Sequence, residues 1–488
     1  MKKILLIRTF KFVGTGGPVI PLELLYIVSA IEKFFKGKYE VKILDIGIGQ
    51  LGLDDVGDEI RFFSPDIIFL NGLIWEADLI HNIAALSKEI NHDIVTLLQG
   101  QLPTLAKEYS LKDRNIDYCI IGEPDITVVE LLSALERNSD LLKIKGIIYK
   151  RDNKVYGGGP RDYIEDLDNF SISASAWNLI NIKEYAKYSN WNGSLKEKFY
   201  IPMLTSRGCP FDCVFCCNKD VVGKSFRARS PKNVFDEIKF LYEKYDVKEI
   251  HFFDAVFNCD IERAKEICNL IIDSGLKISF AFPHGVRADI MTDELIDLFK
   301  RAGVYKLVYG VETASSRLQK EIKKNLNINQ VKDVIKKTSD AGIIVGGYFM
   351  LGFPTESYEE MQETIKFAVE SDLDTAAFFK VSLYDYTLGE YNCAMDLVEK
   401  GEKFPFGFEN FSYYSKKRSN TEISALELNN LILEAQQRFY LNFSRICKGL
   451  FKSPHKIVFL KNLINAVALM IQAYLIRALS SNKKETAR

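Results

Sequence analysis

A chain of 488 residues exceeds what one hydrophobic core supports, so its length predicts two or three domains. Hydrophobic residues at 47% and charged residues at 26% exclude a disordered or fibrous protein. With 64 basic against 65 acidic side chains there is no excess positive field for a phosphate backbone, which disfavours a nucleic-acid partner.

The opening MKKILLIRTF has only four apolar residues in a row before Arg8, too few for a signal-peptide core. A cytoplasmic location is therefore expected, where thiols stay reduced and nine cysteines read as metal ligands or core residues rather than disulfides. Over residues 1–140, ILLI (4–7), VKIL (41–44), DIIFL (66–70), DIVTLL (93–98) and YCII (118–121) alternate with helix-length segments. That alternation predicts a doubly wound, flavodoxin-like parallel sheet. Such sheets bind ligands at the carboxyl ends of their strands, which makes GTGGP (14–18), DIGIG (45–49), NGLIWEAD (71–78), QGQLPT (99–104) and IGEPD (121–125) the segments of interest. Gly14 and Gly16 start a dinucleotide fingerprint, but Val19 stands in place of its third glycine, so tight turns account for them equally well.

Residues 141–197 lose this periodicity. KGIIYKRDNKVYGGGPR (145–161) reads as a hairpin and DLDNFSISASAW (166–177) as a polar connection. A second alternation follows over 198–395, with FYIPMLTS, EIHFFD, KISFAF, YKLVYGVE, IIVGGYFMLG and TAAFFKVS as strand-like runs. It predicts a partial (β/α)6 barrel of the TIM type, with functional residues at the carboxyl ends of its strands. Residues 396–488 read as helical, with apolar positions 428, 431, 432, 435 and 439 on one face.

CPFDCVFCC (209–217) follows the first barrel strand. Cys209, Cys213 and Cys216 have the spacing C-x3-C-x2-C. A structural zinc site needs a fourth ligand, and no second cysteine or histidine pair supplies one. Three thiolates on a loop suit a cubane iron-sulfur cluster with one iron open to another ligand. Cys217 falls outside the triplet and reads as a small buried neighbour.

With Phe215 just before its last cysteine, this triplet resembles the signature of the radical S-adenosylmethionine (SAM) superfamily. GKSFRARSPKNVFDEIKFL, IHFFDAVFN, VRADIMTDEL, YGVETASSRLQKEIKK and FMLGFPTES are similar, in that order, to the barrel of class B radical SAM proteins. PLELLYIVSAIEK, EINHDIVTLLQGQLPT and DYCIIGEPDITVVELL resemble the N-terminal cobalamin-binding domain found in that family. The resemblance spans residues 1–390, and QRFYLN (437–442) resembles the family's helical end.

The resemblance implies three cofactors: a 4Fe-4S cluster on Cys209, Cys213 and Cys216, SAM on the open iron, and cobalamin. Asp254 falls where the family has an acidic pair against the SAM amino group, with Ala255 in the second position. Glu312 matches a glutamate that accepts hydrogen bonds from SAM, or else pairs internally with Arg287. Gly352 matches a close approach of backbone to adenosine. Trp75, Gly100 and Gly122 are the positions expected against cobalamin. Gln99 replaces a family glycine, and RTFKFVGTGG lacks the histidine that ligates cobalt in mutases.

The implied activity is methylation of an unactivated carbon of a small-molecule or lipid-like substrate, through a 5′-deoxyadenosyl radical and methylcobalamin, with electrons from a flavodoxin or ferredoxin. The alternatives are a radical SAM oxidoreductase or cyclase with the same cofactors, and a non-catalytic cobalamin or SAM sensor, which would not need an open iron. Methylthiotransferases acting on transfer RNA carry further cluster cysteines in the N-terminal domain, where this chain has only Cys119. The apolar stretch 457–476 is interrupted by Lys461, Asn462, Asn465 and Gln472, so a spanning helix is not expected. Packing on the barrel is the expectation there, with peripheral membrane contact as the alternative.

Overall fold

The structure is a computed structural model, and it describes residues 1–9, 19–73, 76–111, 113–189, 195–381, 421–461 and 463–464. The first sheet contains β1 (Lys2–Arg8), β2 (Tyr39–Asp45), β3 (Ile67–Gly72), β4 (Val95–Gly100), β5 (Tyr118–Ile120), β6 (Ile147–Arg151) and β7 (Lys154–Gly157). Its order is β2-β1-β3-β4-β5-β6-β7. The first five strands are parallel in the flavodoxin-like order that the sequence predicts. Side chains alternate across the sheet: Ile4 and Leu6 enter one core, Leu5 and Ile7 another. Both faces are therefore buried, as a parallel sheet requires.

The expected linker is more structured than its composition implies. Its hairpin, β6 and β7, pairs antiparallel with β5 and extends the sheet, because the short β5 would otherwise leave an unpaired edge. The polar stretch after it is pinned by side chains. Ser173 Oγ donates to Glu32 Oε2 (2.7 Å), and Trp177, 1% exposed, donates its indole N–H to Glu237 Oε1 (3.3 Å). This segment is a wedge between the two domains, and its serines are used in packing.

The second sheet contains β8 (Ile201–Met203), β11 (Glu249–Phe252), β12 (Ser279–Val286), β13 (Val304–Glu312), β14 (Ile344–Leu351) and β15 (Thr375–Lys380). All its pairs are parallel and run in chain order from β8 to β15. This is the expected partial barrel of six strands. The short antiparallel pair β9 (Ser206–Arg207) and β10 (Arg227–Ala228) lies beyond the end of β8. The edge strand β15 is covered by the helix Ala425–Tyr440, which buries Leu428, Leu431, Ala435 and Phe439. These are four of the positions the sequence periodicity selects. Tyr440 Oη donates to Ala376 O (2.8 Å) and accepts from Ala376 N–H (3.2 Å), so the side chain satisfies backbone groups of the edge strand.

Candidate active site

The carboxyl ends of both sheets face one cavity of about 630 Å³. From the first sheet it is lined by Asn71, Gly72, Gln99, Gly100 and Gly122. From the barrel it is lined by Cys209, Cys213, Phe215, Cys216, His284, Arg287, Glu312, Lys324 and Tyr348, among others. The chain thus brings the thiol triplet and the strand ends of the N-terminal domain onto one space. Cys217 is not among the lining residues; it stands at the residue before the short helix Asn218–Val221, with no side-chain capping bond.

The thiol loop is shaped by its glycine and by backbone bonds. Gly208 has φ +83°, and a Cβ there would stand 1.9 Å from Ser225 O. Cys209 N–H donates to Gly223 O (3.1 Å) and Val214 N–H to Ile322 O (3.1 Å). Phe215 packs edge-on against Phe353, with ring centroids 5.9 Å apart. Burial pushes the Cys216 thiol up to about 12 and raises Cys213, the latter opposed by the nearby Lys324 and Arg287. All eight cysteines among the described residues are free. Three thiols on one loop, facing a cavity with cations beside them, fit a thiolate-bound anionic cluster. Gly208→Ala is expected to cost more than about 2 kcal/mol locally, from a left-handed non-glycine residue and a backbone collision. Iron content per chain after reconstitution should fall well below wild type.

Two bulges aim the barrel's polar side chains. At the end of β13 the register with β14 slips between Gly310 and Glu312, and Glu312 takes φ +68°, an unusual backbone state for a non-glycine residue. The bulge turns its carboxylate into the cavity, where Oε1 lies 3.1 Å from Lys324 Nζ. A Cβ at Gly310 would press on both groups, at 2.7 and 3.1 Å. Burial disfavours the Lys324 ammonium, but Glu312 and Cys213 together outweigh it and the net pKa is raised. Arg287 is not the partner of Glu312. Its guanidinium forks onto Asp289 (2.9 and 2.8 Å) and lies 3.6 Å from the centre of the Phe211 ring.

On β12 the register with β13 jumps between Phe282 and Val286, extruding Pro283, His284 and Gly285. Tyr348 Oη pins the bulge through Pro283 O (2.6 Å), and Gly285 takes φ +101°. The His284 ring faces the cavity beside Phe253, with centroids 4.2 Å apart. The ring is exposed to the cavity, and the protein packed around it, with a smaller contribution from His251, lowers its pKa, which favours the neutral imidazole near pH 7.

Two of the expected SAM contacts are not among the residues that line the cavity. Asp254 is 1% exposed and does not line the cavity; its neighbour Ala255 does. The Asp254 carboxylate accepts from Thr205 N–H (3.1 Å), Thr205 Oγ1 (2.8 Å) and Ser206 Oγ, tying the end of β11 to the strand that leads into the thiol loop. Asp254 is a positioning residue in this geometry. Gly352 likewise is not among the lining residues. With φ +95°, it makes room for Leu428 of the C-terminal helix, which a Cβ would approach to 2.6 Å. Its N–H donates to Glu356 Oε2 (2.6 Å).

On the N-terminal side, Gly100 has φ +107° and Gly122 φ +73°. A Cβ at Gly122 would project into open space, and Gln99 Nε2 is buried without a hydrogen-bond partner. A glycine-lined floor with an orphaned amide donor fits a large ligand bearing amide acceptors, as corrin side chains do. Gly14, Gly16 and Trp75 lie outside the described residues. Of the histidines in the first domain, His81 pairs with Asp113 (2.7 Å), and neither it nor His92 lines the cavity.

The same strand end clamps the domains together. Asp125 accepts both Arg207 Nη1 (2.8 Å) and Nη2 (3.0 Å), and Glu123 accepts Arg227 Nη1 (2.8 and 2.9 Å). Arg207 sits in β9 and Arg227 in β10, so the base of the thiol loop is held by the loop that carries Gly122. Burial works against the Arg207 charge, yet Asp125 together with Glu123 overrides it and the net pKa is raised.

The sequence reading missed Lys324, His284 and this clamp. Lys324 lies in KEIKKN, which reads as a solvated charge run. A single histidine carries no spacing, and no local pattern pairs Asp125 with Arg207.

Comparison with known proteins agrees with this geometry. A model described as B12 binding domain matches residues 13–132, and one described as Radical SAM superfamily matches residues 203–368. An uncharacterised methyltransferase of Pyrococcus horikoshii is 29% identical over 444 residues, covering 91% of this chain and 92% of that protein. The cytidylyl-2-hydroxyethylphosphonate methyltransferase of Streptomyces wedmorensis is 29% identical over 409 residues, covering 74% and 75%. The anaerobic magnesium-protoporphyrin IX monomethyl ester cyclase of Rubrivivax gelatinosus is 28% identical over 415 residues, covering 83% and 71%. In fold, the chain is similar to the radical SAM methyltransferase TsrM of Kitasatospora setae, with a TM-score of 0.68 at 16% identity, covering 79% of this chain and 74% of that one. A B12-binding domain and a radical SAM barrel, joined over one cavity, make this chain a member of the radical SAM superfamily of the cobalamin-binding kind.

Proposed function

We propose that the protein is a cobalamin-dependent radical SAM enzyme that methylates an unactivated carbon of a small-molecule or lipid-like substrate. The observation that carries this reading is the single cavity lined by both the thiol triplet and the glycine-rich strand ends of the B12-binding domain. When bound, the cluster supplies an electron for SAM cleavage and cobalamin supplies a carrier for the methyl group.

The chain's residues divide the remaining work. Cys209, Cys213 and Cys216 hold the cluster. The paired charges of Glu312 and Lys324, with Arg287 behind them, suit a zwitterionic amino-acid head: the carboxylate faces the ammonium group and the cations face the carboxyl group. Gly100 and Gly122 leave room for the corrin, and Gln99 offers it an amide donor. The neutral His284 and Tyr348 line the space between, where they can accept or donate hydrogen bonds to a substrate without adding charge. The interdomain clamp forms part of the cavity wall, and exclusion of water during turnover keeps a reactive radical from being quenched. A cytoplasmic compartment and an electron donor of the flavodoxin or ferredoxin type suit reduced thiols and a cluster that must be recharged.

The reading is tested by anaerobic reconstitution with iron, sulfide, cobalamin and a reductant, followed by incubation with methyl-labelled SAM and mass spectrometry. Label in cobalamin together with 5′-deoxyadenosine supports it, whereas 5′-deoxyadenosine without cobalamin binding defeats it. The likeness to a cyclase favours a second reading, in which both cofactors are used and no label reaches the product. Glu312→Gln is expected to weaken SAM binding by about tenfold or more, the loss of one charge-assisted hydrogen bond, with cluster content unchanged. An unaltered SAM Kd would remove Glu312 from the SAM site.

A further inference from the structure

The C-terminal region has a surface that the cavity does not use. Between Glu434 and Glu485 the sequence holds nine basic residues and no acidic one, in a chain whose net charge is −1. The helix Phe443–Lys452 is fastened to the barrel by its basic face. Arg445 Nη2 donates to Val369 O (2.7 Å) and Ser371 O (3.2 Å). Lys448 Nζ donates to Asp372 O (2.8 Å), and Lys452 Nζ pairs with Asp374 (2.9 Å). Phe443 and Phe451, eight positions apart on the other side of that helix, are 80% and 81% exposed.

The chain turns at Pro454 and is helical again over 456–461. The two helical pieces are seated on each other, since the Phe459 ring stands 2.8 Å from where a Cβ of Gly449 would lie. Ile457 (84% exposed), Leu460 and Ile464 (67%) continue the apolar strip at spacings of three and four. Lys456 and Lys461 are exposed beside it. Elsewhere on the described surface, large apolar side chains this exposed occur singly, as is normal. Here four of them fall within 22 residues.

We propose that this two-helix platform lies on the surface of an anionic lipid bilayer. Phenylalanine and isoleucine on the outer face enter the acyl boundary, and Lys456 and Lys461 meet anionic headgroups. Among the described residues no helix is long and apolar enough to cross a membrane, so the platform lies on the bilayer. The barrel-facing cations fix its orientation, because they are spent on the β14–β15 side of the barrel and leave the apolar strip pointing away. This inference does not rest on methyl transfer; it holds for any reaction in the cavity.

The test is flotation of the full-length protein with vesicles of phosphatidylcholine plus phosphatidylglycerol, against phosphatidylcholine alone, at low and high salt. Binding is expected on the anionic vesicles, with loss at high salt. Phe443→Ser/Phe451→Ser/Ile457→Ser should abolish it. Lys456→Gln/Lys461→Gln, which leaves the apolar strip intact, should weaken it roughly fivefold for each lysine removed. Cluster uptake by each variant, equal to wild type, shows that the fold is kept. Failure of the parent chain to float, or equal flotation of both variants, overturns the proposal. So does a concentration-dependent dimer that the serine variant converts to monomer without any vesicle binding, since a second copy then covers the strip.

Discussion

Cys213→Ala is expected to lose the visible absorption of the cluster and reduce SAM cleavage to background, while Cys217→Ala retains both. Cys213 is 8% exposed and lines the cavity, whereas Cys217 does not. A cluster with one iron left open has only three protein ligands, so removing one leaves two, too few to hold it firmly. Iron and sulfide content, the absorption spectrum and 5′-deoxyadenosine formation check the pair. A Cys213→Ala protein with a full cluster that still cleaves SAM would sink the ligand assignment. Loss of the cluster in Cys217→Ala would move the boundary of the site.

The second large effect is expected at the interdomain clamp. Asp125→Ala leaves the buried Arg207 guanidinium with only Glu123, 3.7 Å away, as an anionic neighbour, and is expected to destabilise by about 3 kcal/mol, the lower end for a buried ion pair that loses one member. The aromatic ring of Tyr26, 4.8 Å from the guanidinium, is a minor compensation by comparison. Asp125→Ala/Arg207→Met should recover most of the loss, because a buried pair replaced by apolar groups of similar volume is often neutral. Denaturant midpoints of wild type, both single variants and the double variant form the cycle. Because Arg207 and Gly208 adjoin Cys209, the single variant should also lower iron retention and the double variant restore it only in part. Equal midpoints for all four proteins would show that the clamp carries no interaction energy.

Much of the fold was legible because local patterns were strong. The strands β1 to β5 coincide with β-branched runs, and the six barrel strands with the second set. The face of the helix Ala425–Tyr440 follows the period of its apolar residues. The hairpin β6–β7 was recognised as a hairpin but not as part of the sheet, since pairing with β5 is a long-range event that no local signal records. The thiol triplet was legible because three thiols of fixed spacing on one loop lie within eight residues. Glu312 lines the cavity, and its ion-pair partner is Lys324 rather than Arg287, the pairing expected as the alternative to a SAM contact. Lys324 reaches it only because the loop after the helix Ser316–Glu321 folds back beneath the β13 bulge.

Asp254 and Gly352 show the converse. Both stand at strand ends where functional residues are expected, and both are spent on structure, one on Thr205 and Ser206, the other on Leu428. By itself the sequence determined the order of the two parallel sheets, the thiol triplet and the cofactor classes, because each is written in residues close together in the chain. Only the tertiary structure decided which polar groups share the cavity. The bulges at His284 and Glu312, the approach of Lys324 to Glu312 and the Asp125–Arg207 clamp all depend on backbone register and domain docking, which join residues far apart in the chain.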